Sequence, residues 1–209
     1  MCIRDRPGAV QSIVTVGRLW RSRLDPTHLA TRIGNRVLGG NYTSRINKNL
    51  REKNGYTYGA YSRFDCIRET GDWTVSSKIR SDVTGVAVRE IMNELDSMSG
   101  DQPLTEKEIA VAREALLNTF PAKFESPQQI VASIASIARH NLPKTYLKDF
   151  AKQIRDASPD SITQLMKEVC DADQMRTLVV GDRQQVVAQL KEAGFDQIVF
   201  LNENGSSTD

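Results

Sequence analysis

The run LGGNYTSRINKNLREKNGYTYGAYS, residues 38 to 62, gathers the side chains of this chain whose types and spacing could do chemistry. Arg51 stands at the end of a helical stretch, Gly55 turns the backbone, and Tyr56, Tyr58 and Tyr61 follow on what reads as a strand. An arginine presents a planar, permanently charged fork of donors and a tyrosine adds one phenolic donor, so the set is suited to holding carbonyl or carboxylate oxygens. Gly39 and Gly40 leave the backbone bare just upstream of the same helix.

No other constellation completes a catalytic centre. His28 and His140 are the two histidines, one in the first turn of a helix and one near a helix end, and neither has an acid or a second histidine at ligand spacing. The metal motif H-E-x-x-H and its inverse H-x-x-E-H are absent, and no serine or cysteine sits in a nucleophile elbow. VVGD, residues 179–182, precedes a helix but lacks the glycines that cradle a phosphate. Cys66 and Cys170 read as buried thiols, and their spacing alone does not decide whether they pair.

Composition excludes further classes. Over 209 residues, 28 basic and 26 acidic side chains leave a net charge of +2, too little to attract nucleic acid or an anionic membrane surface. No stretch approaches the roughly 20 consecutive apolar residues that cross a bilayer, so no membrane insertion is expected.

The elements that must hold Arg51 and the tyrosines are legible from periodicity. Residues 9–17 read as a strand, and a helix follows with Asp25 as N-cap, Pro26 at its first position and a stripe of Leu29, Ile33 and Val37 ending at Gly39 and Gly40. A second helix, 42–53, carries Ile46 and Leu50 and stops at Gly55. Residues 56–66 and 72–80 alternate as a hairpin about RETGD, with Trp73, Val75 and Ile79 on one face. Val83, Ala87, Ile91, Leu95 and Met98 mark a third helix, and Thr105 with Glu108 forms a capping box that opens a fourth. Ser126-Pro127 and Ser158-Pro159 start two more, and the helix QQIVASIASIARHNL is apolar enough to be expected largely buried. MRTLVVGD, RQQVVAQLKEAG and QIVFL read as strand, helix and strand. The expected fold is α+β, an antiparallel sheet of five or six strands packed against helices, in a single domain over 7–203.

With these elements in place, the run from Leu38 to Ser62 resembles the C-terminal-domain signature of the pitrilysin or insulinase family of zinc metallopeptidases, which includes the mitochondrial processing peptidase. The likeness is carried, in order and spacing, by Leu38-Gly39-Gly40, Ser44-Arg45, Leu50-Arg51-Glu52, Gly55 and a tyrosine. Weaker likeness extends from RPGAVQSIVTVG through LTEKEIAVAREALLNTF and FESPQQIVASI to VVGD and the closing strand.

The resemblance implies one half of a ferredoxin-like metallohydrolase clamshell that encloses a chamber. In such proteins zinc is held by an inverted H-x-x-E-H motif and a distant glutamate in the N-terminal half, and the other half carries no metal. By this resemblance the chain itself holds no cofactor, zinc belongs to a partner half, and the partner is a metal-bearing N-terminal half or a separate subunit. The resemblance further implies that Arg51 and Tyr58, seven residues apart, are catalytic residues reaching across the chamber to an unfolded or short peptide. Tyr56 falls at the family's variable position. Tyr58 would donate to the oxyanion formed when zinc-activated water attacks a peptide carbonyl, and Arg51 would hold a substrate carbonyl. Gly39 and Gly40 match the family's glycine-rich loop and would let substrate backbone approach closely.

A plainer role exists for each residue: Arg51 as a solvated helix-end cation, Tyr58 as an ordinary strand aromatic, and the glycines as a helix C-cap. The alternative at the level of the whole chain is a structural or assembly subunit of the same fold, of the respiratory-complex core-protein type. A purely structural subunit has no reason to keep the arginine and tyrosine. Met1 to Arg6 are expected to be a non-native or disordered start and residues 204–209 a disordered tail. With the start in doubt, bacterial periplasm and cytoplasm both remain open as compartments.

Overall fold

The computed structural model describes residues 1–208. A short strand, β1 (Cys2–Asp5), precedes the long β2 (Gln11–Trp20). Helix α1 (His28–Leu38) leads by a loop to α2 (Arg45–Asn47), which continues as π-helical turns over Lys48–Lys53. The hairpin of β3 (Thr57–Cys66) and β4 (Gly71–Arg80) follows. Five helices come next: α3 (Thr84–Ser99), α4 (Glu106–Thr119), α5 (Pro127–His140), α6 (Tyr146–Asp156) and α7 (Pro159–Val169). Strand β5 (Arg176–Gly181), helix α8 (Arg183–Glu192) and strands β6 (Val199–Leu201) and β7 (Ser207–Thr208) close the chain.

The strands form one sheet in the order β3-β4-β2-β5-β1-β6-β7. The fold is α+β as expected, but the sheet has seven strands and is mixed, because β1 runs parallel to both β5 and β6. The two unforeseen strands lie at the chain ends. Cys2–Asp5, where a non-native or disordered start is expected, alternates so that Ile3 enters the core at 0% exposure opposite Val179 and Phe200. In the expected tail, Ser207 and Thr208 pair with Leu201 and Phe200, and Asp209 lies outside the described residues.

One face of the sheet is buried and the other is open. Along β4, Gly71, Trp73, Val75, Ser77 and Ile79 are buried while the intervening residues are not, which is the period of two that a half-covered strand shows. Val14, Val16, Trp73, Val75 and Val179 meet the apolar stripes of α1, α3, α7 and α8 in one continuous core. Fully burying a side chain of this size is worth roughly 1.5–3 kcal/mol, so the stripes hold the helices against the sheet.

Three local expectations change. Helix α1 begins at His28, later than expected, because the Asp25 carboxylate accepts the Thr27 N–H at 2.7 Å and closes a turn of its own. The second helix starts at Arg45 instead of 42, since the Asn41 side chain accepts the Thr43 N–H at 2.7 Å and keeps residues 41–44 in a loop. Helix α5 is not buried: none of its residues is, and Ile130, Val131 and Ile134 are 40%, 64% and 58% exposed. An apolar stripe specifies a face but not what covers it. The capping box is present, with the Thr105 hydroxyl accepting the Glu108 N–H at 3.3 Å and the Glu108 carboxylate accepting the Thr105 N–H at 3.0 Å.

Candidate functional site

The site is built on β3, the edge of the sheet. An edge strand leaves one row of backbone groups without a neighbouring strand, and buried groups of that kind need partners. Here side-chain amides stand in for the missing strand. Asn47 Nδ2 donates to the Ala60 carbonyl at 2.6 Å, and the Ala60 N–H donates to Asn47 Oδ1 at 2.9 Å. Two residues along, the Ser62 N–H donates to the Gly39 carbonyl at 2.8 Å and Asn35 Nδ2 donates to the Ser62 carbonyl at 3.0 Å. Asn35 Oδ1 also accepts the Ser62 hydroxyl at 2.6 Å and Trp73 Nε1 at 2.7 Å. This double clamp ties α1 and α2 to β3.

Before the clamped segment the register of β3 against β4 shifts between Thr57 and Ala60, a bulge over Tyr58 and Gly59. Its backbone is secured locally: the Gly59 N–H donates to Thr57 Oγ1 at 3.1 Å, Thr57 Oγ1 donates to the Lys78 carbonyl at 2.7 Å, and Ser77 Oγ donates to the Gly59 carbonyl at 3.0 Å. Tyr58 stands out from the bulge at 90% exposure. It borders a shallow concavity of about 580 Å³ on the open face of the sheet, together with Ile13, Tyr61, Arg63 and Lys78.

Arg51 lies in the π-helical turns that precede this strand. The wider turn is visible in the Asn54 N–H, which donates to the Asn49 carbonyl five residues back at 3.1 Å. Ile46 and Leu50 are fully buried, which leaves Arg51 on the outer side with its side chain 30% exposed. Its guanidinium lies 3.8 Å from the ring centroid of Tyr42, and Nη1 is 3.5 Å from the Glu52 carboxylate. Gly55, at φ +65°, makes the turn between helix and strand, and the Tyr56 N–H then donates to the Leu50 carbonyl at 2.8 Å. Arg51 is not among the residues lining the Tyr58 concavity, so one helix-turn-strand unit carries both while Arg51 stands outside that concavity.

The glycine pair has work inside the chain. A Cβ on Gly39 would sit 2.5 Å from Ser62 Oγ and 2.8 Å from Ser62 N, and one on Gly40 would sit 2.8 Å from the Arg36 Cα. Bare backbone lets the end of α1 meet β3 closely at Gly39 and lets the chain fold back on α1 itself at Gly40. Gly40 also borders a separate cavity of about 430 Å³ between α1 and the far part of β3.

Sequence reasoning missed Asn35, Asn47 and Tyr42. The two asparagines sit beside the apolar positions Ile33 and Ile46, and an uncapped polar residue next to a buried stripe is the only signal that marks them. Cys66 and Cys170 are both free, Cys170 fully buried and Cys66 partly so, and burial pushes both thiols up from their usual range. His28 is driven down to about 3, first by burial and then by Arg23 and Arg32, so its ring is neutral near pH 7.

Residues 1–116 match the family model described as the peptidase M16 inactive domain. The chain belongs to this family. The resemblance carried by Leu38–Ser62 therefore holds. Among solved structures, the peptidase M16 inactive domain from Pseudomonas fluorescens is similar at a TM-score of 0.77 and 25% identity, over 87% of this chain and 43% of that one. A protease from Helicobacter pylori is similar at a TM-score of 0.77 and 16% identity, again over 87% of this chain and 43% of that one. Complex III2 from Candida albicans contains a chain similar at a TM-score of 0.70 and 12% identity, over 92% of this chain and 48% of that one. The M16 inactive domain described here thus spans less than half the length of these solved chains. No curated protein matches it. Among its described residues, no group of three or more His, Cys, Asp or Glu could hold a metal, so these residues do not fit a zinc site. No helix of the structure is long and apolar enough to cross a membrane.

Proposed function

We propose that this M16 inactive domain is the substrate-binding half of a zinc-dependent endopeptidase for unfolded or short peptides, with the metal held by a partner half. Its own contribution is Tyr58 and Arg51. The observation that carries the reading is Tyr58: a 90% exposed phenol on a bulge held by hydrogen bonds to both backbone groups of the adjacent Gly59. A phenol projecting from a fixed strand presents its donor in one place, which a partner can use without reorganisation.

In this reading Tyr58 donates a hydrogen bond to a scissile carbonyl oxygen as negative charge gathers on it, a role for which a fixed donor is effective because it needs no reorganisation. Arg51 holds a neighbouring backbone carbonyl with its fork, and the Tyr42 ring beneath the guanidinium limits the orientations that fork can take. Gly39 acts at one remove, by letting the end of α1 approach Ser62 and so fixing β3, and Gly40 by letting the chain close against the last turn of α1.

The test mixes this chain with a metal-bearing half of the family and follows cleavage of a quenched, unfolded peptide, with each half alone as control. Activity confined to the mixture, with a drop of at least tenfold for both Tyr58→Phe and Arg51→Ala, supports a composite site. An active mixture indifferent to both substitutions would reduce this chain to a chamber wall. A stable complex that cleaves nothing would favour the structural-subunit alternative, the role for which the fold likeness to a Complex III2 chain leaves room.

A further inference from the structure

The cavity bordered by Gly40 is lined by Arg23, Arg32, Arg36 and Arg63 together with both histidines, His28 and His140, and the one acid in its lining is Asp65. That is an uneven distribution for a chain whose basic and acidic residues number 28 and 26. Asp65 does little to offset it, since its carboxylate is 69% exposed and 3.9 Å from Arg63. Arg23 donates to the Tyr146 hydroxyl at 2.6 Å and lies 5.0 Å from the centroid of that ring. Among the described residues, neither Arg32 nor Arg36 forms an ion pair with a carboxylate.

Cations gathered at low dielectric without a counter-charge raise the free energy of the folded state. Arg32 and His28 both respond to it: burial first, and then their cationic neighbours, lower the pKa of each. His140 lines the same cavity, and its Nδ1 makes no hydrogen bond within the protein.

We infer that this cavity binds an oxyanion, the carboxylate or phosphate group of a ligand, between Arg23, Arg32 and Arg36, with His28 and His140 lining the same space. Planar guanidinium forks match the paired oxygens of such groups, and charge-assisted bonds of this type are the strong ones. The site lies on the helix side of β3, Arg63 alone bordering both it and the concavity that carries Tyr58, and it does not depend on the peptidase reading. Two sources share the chemistry: free inorganic phosphate, or a carboxylate carried on an acidic peptide.

With two histidines in the chain, imidazole resonances report on the cavity directly. The chain labelled with 15N-histidine is titrated with inorganic phosphate and, separately, with a short glutamate-rich peptide, each against sodium chloride of equal ionic strength. Saturable shifts of His140 and His28 by at least one probe, weakened at least tenfold in Arg36→Gln and unchanged in Arg176→Gln outside the cavity, are expected. Whichever probe saturates names the source. Shifts no larger than chloride produces with both probes, or equal weakening by the two substitutions, would overturn the inference, and the wild-type titration alone decides it should Arg36→Gln fail to fold.

Discussion

Strand β3 carries two kinds of residue within five positions. At Ala60 and Ser62 every outward backbone group is met by Asn47, Asn35 or Gly39, all buried and none facing solvent. At the bulge the chain is held through the backbone of the neighbouring Gly59, and the Tyr58 side chain is left free on the open face. The difference separates positions that make the fold from positions available to a partner: satisfied amides fix the strand, and the unsatisfied phenol uses its rigidity.

The comparison breaks most readily at its exposed end. Tyr58→Phe is expected to lower turnover of the reconstituted enzyme roughly 100 to 1,000-fold, while the melting temperature stays within about 2 °C of wild type because nothing buried is lost. A matching fall in both quantities would make Tyr58 a structural residue. The clamp behaves in the opposite sense. Asn35→Ala strands Trp73 Nε1 and both polar groups of Ser62 that Asn35 serves, and should cost about 2–4 kcal/mol in urea unfolding. Unaltered stability would mean that water replaces the amide and the edge is not clamped.

Acid should sharpen the same contrast. The Glu108 carboxyl is opposed by burial but drawn down overall to about 2 by hydrogen bonds from Arg45 and Thr105. A depressed carboxyl stabilises fully above its unfolded value of 4.5, and that contribution is lost as pH falls toward 2. Because Glu108 remains substantially exposed to solvent, the effect after screening is about 1 kcal/mol. His28 works earlier: held neutral in the fold, it loses stability to protonation of the unfolded chain as pH drops from 6.5 toward 3. Acid unfolding followed by circular dichroism should therefore begin below about pH 6.5, and His28→Gln should remove that first phase while leaving the later one. At the smallest end, Ile134→Ser on the uncovered face of α5 should change stability by no more than about 0.5 kcal/mol, since its side chain is already 58% exposed.

Much of the frame was legible because its signals are local. The Thr105 and Glu108 box, the alternation of Trp73, Val75 and Ile79, and Gly55 at positive φ each announce themselves within a few residues. What stayed hidden depends on distant partners. Strand β1 needs Val179 and Phe200 before Ile3 has a place, and an asparagine such as Asn47 reads as a surface residue until Ala60 is brought against it. Tyr42 beneath Arg51 depends on how a loop folds back, which no periodicity encodes. For the candidate site, the helix-turn-strand unit was readable; the separation of Arg51 from the Tyr58 concavity was not, because a π-helical turn shifts the direction of the side chains it carries.

The sheet order also sets a timetable for synthesis. Strand β2 pairs on one side with β4 and on the other with β5, Val14 lying opposite Ser77 in one case and Val179 in the other. The first partner is close in sequence and the second is made after five further helices, α3 to α7. A nascent chain can therefore assemble the β2-β4-β3 portion, including Tyr58, long before the strand that seals its exposed flank leaves the ribosome. Non-local pairings of this length are slow, and an unpaired central strand is sticky while it waits. Helices α3 to α7 must be translated in that interval, so the part of the molecule that would meet substrate forms early and is most exposed to misassociation until β5 docks.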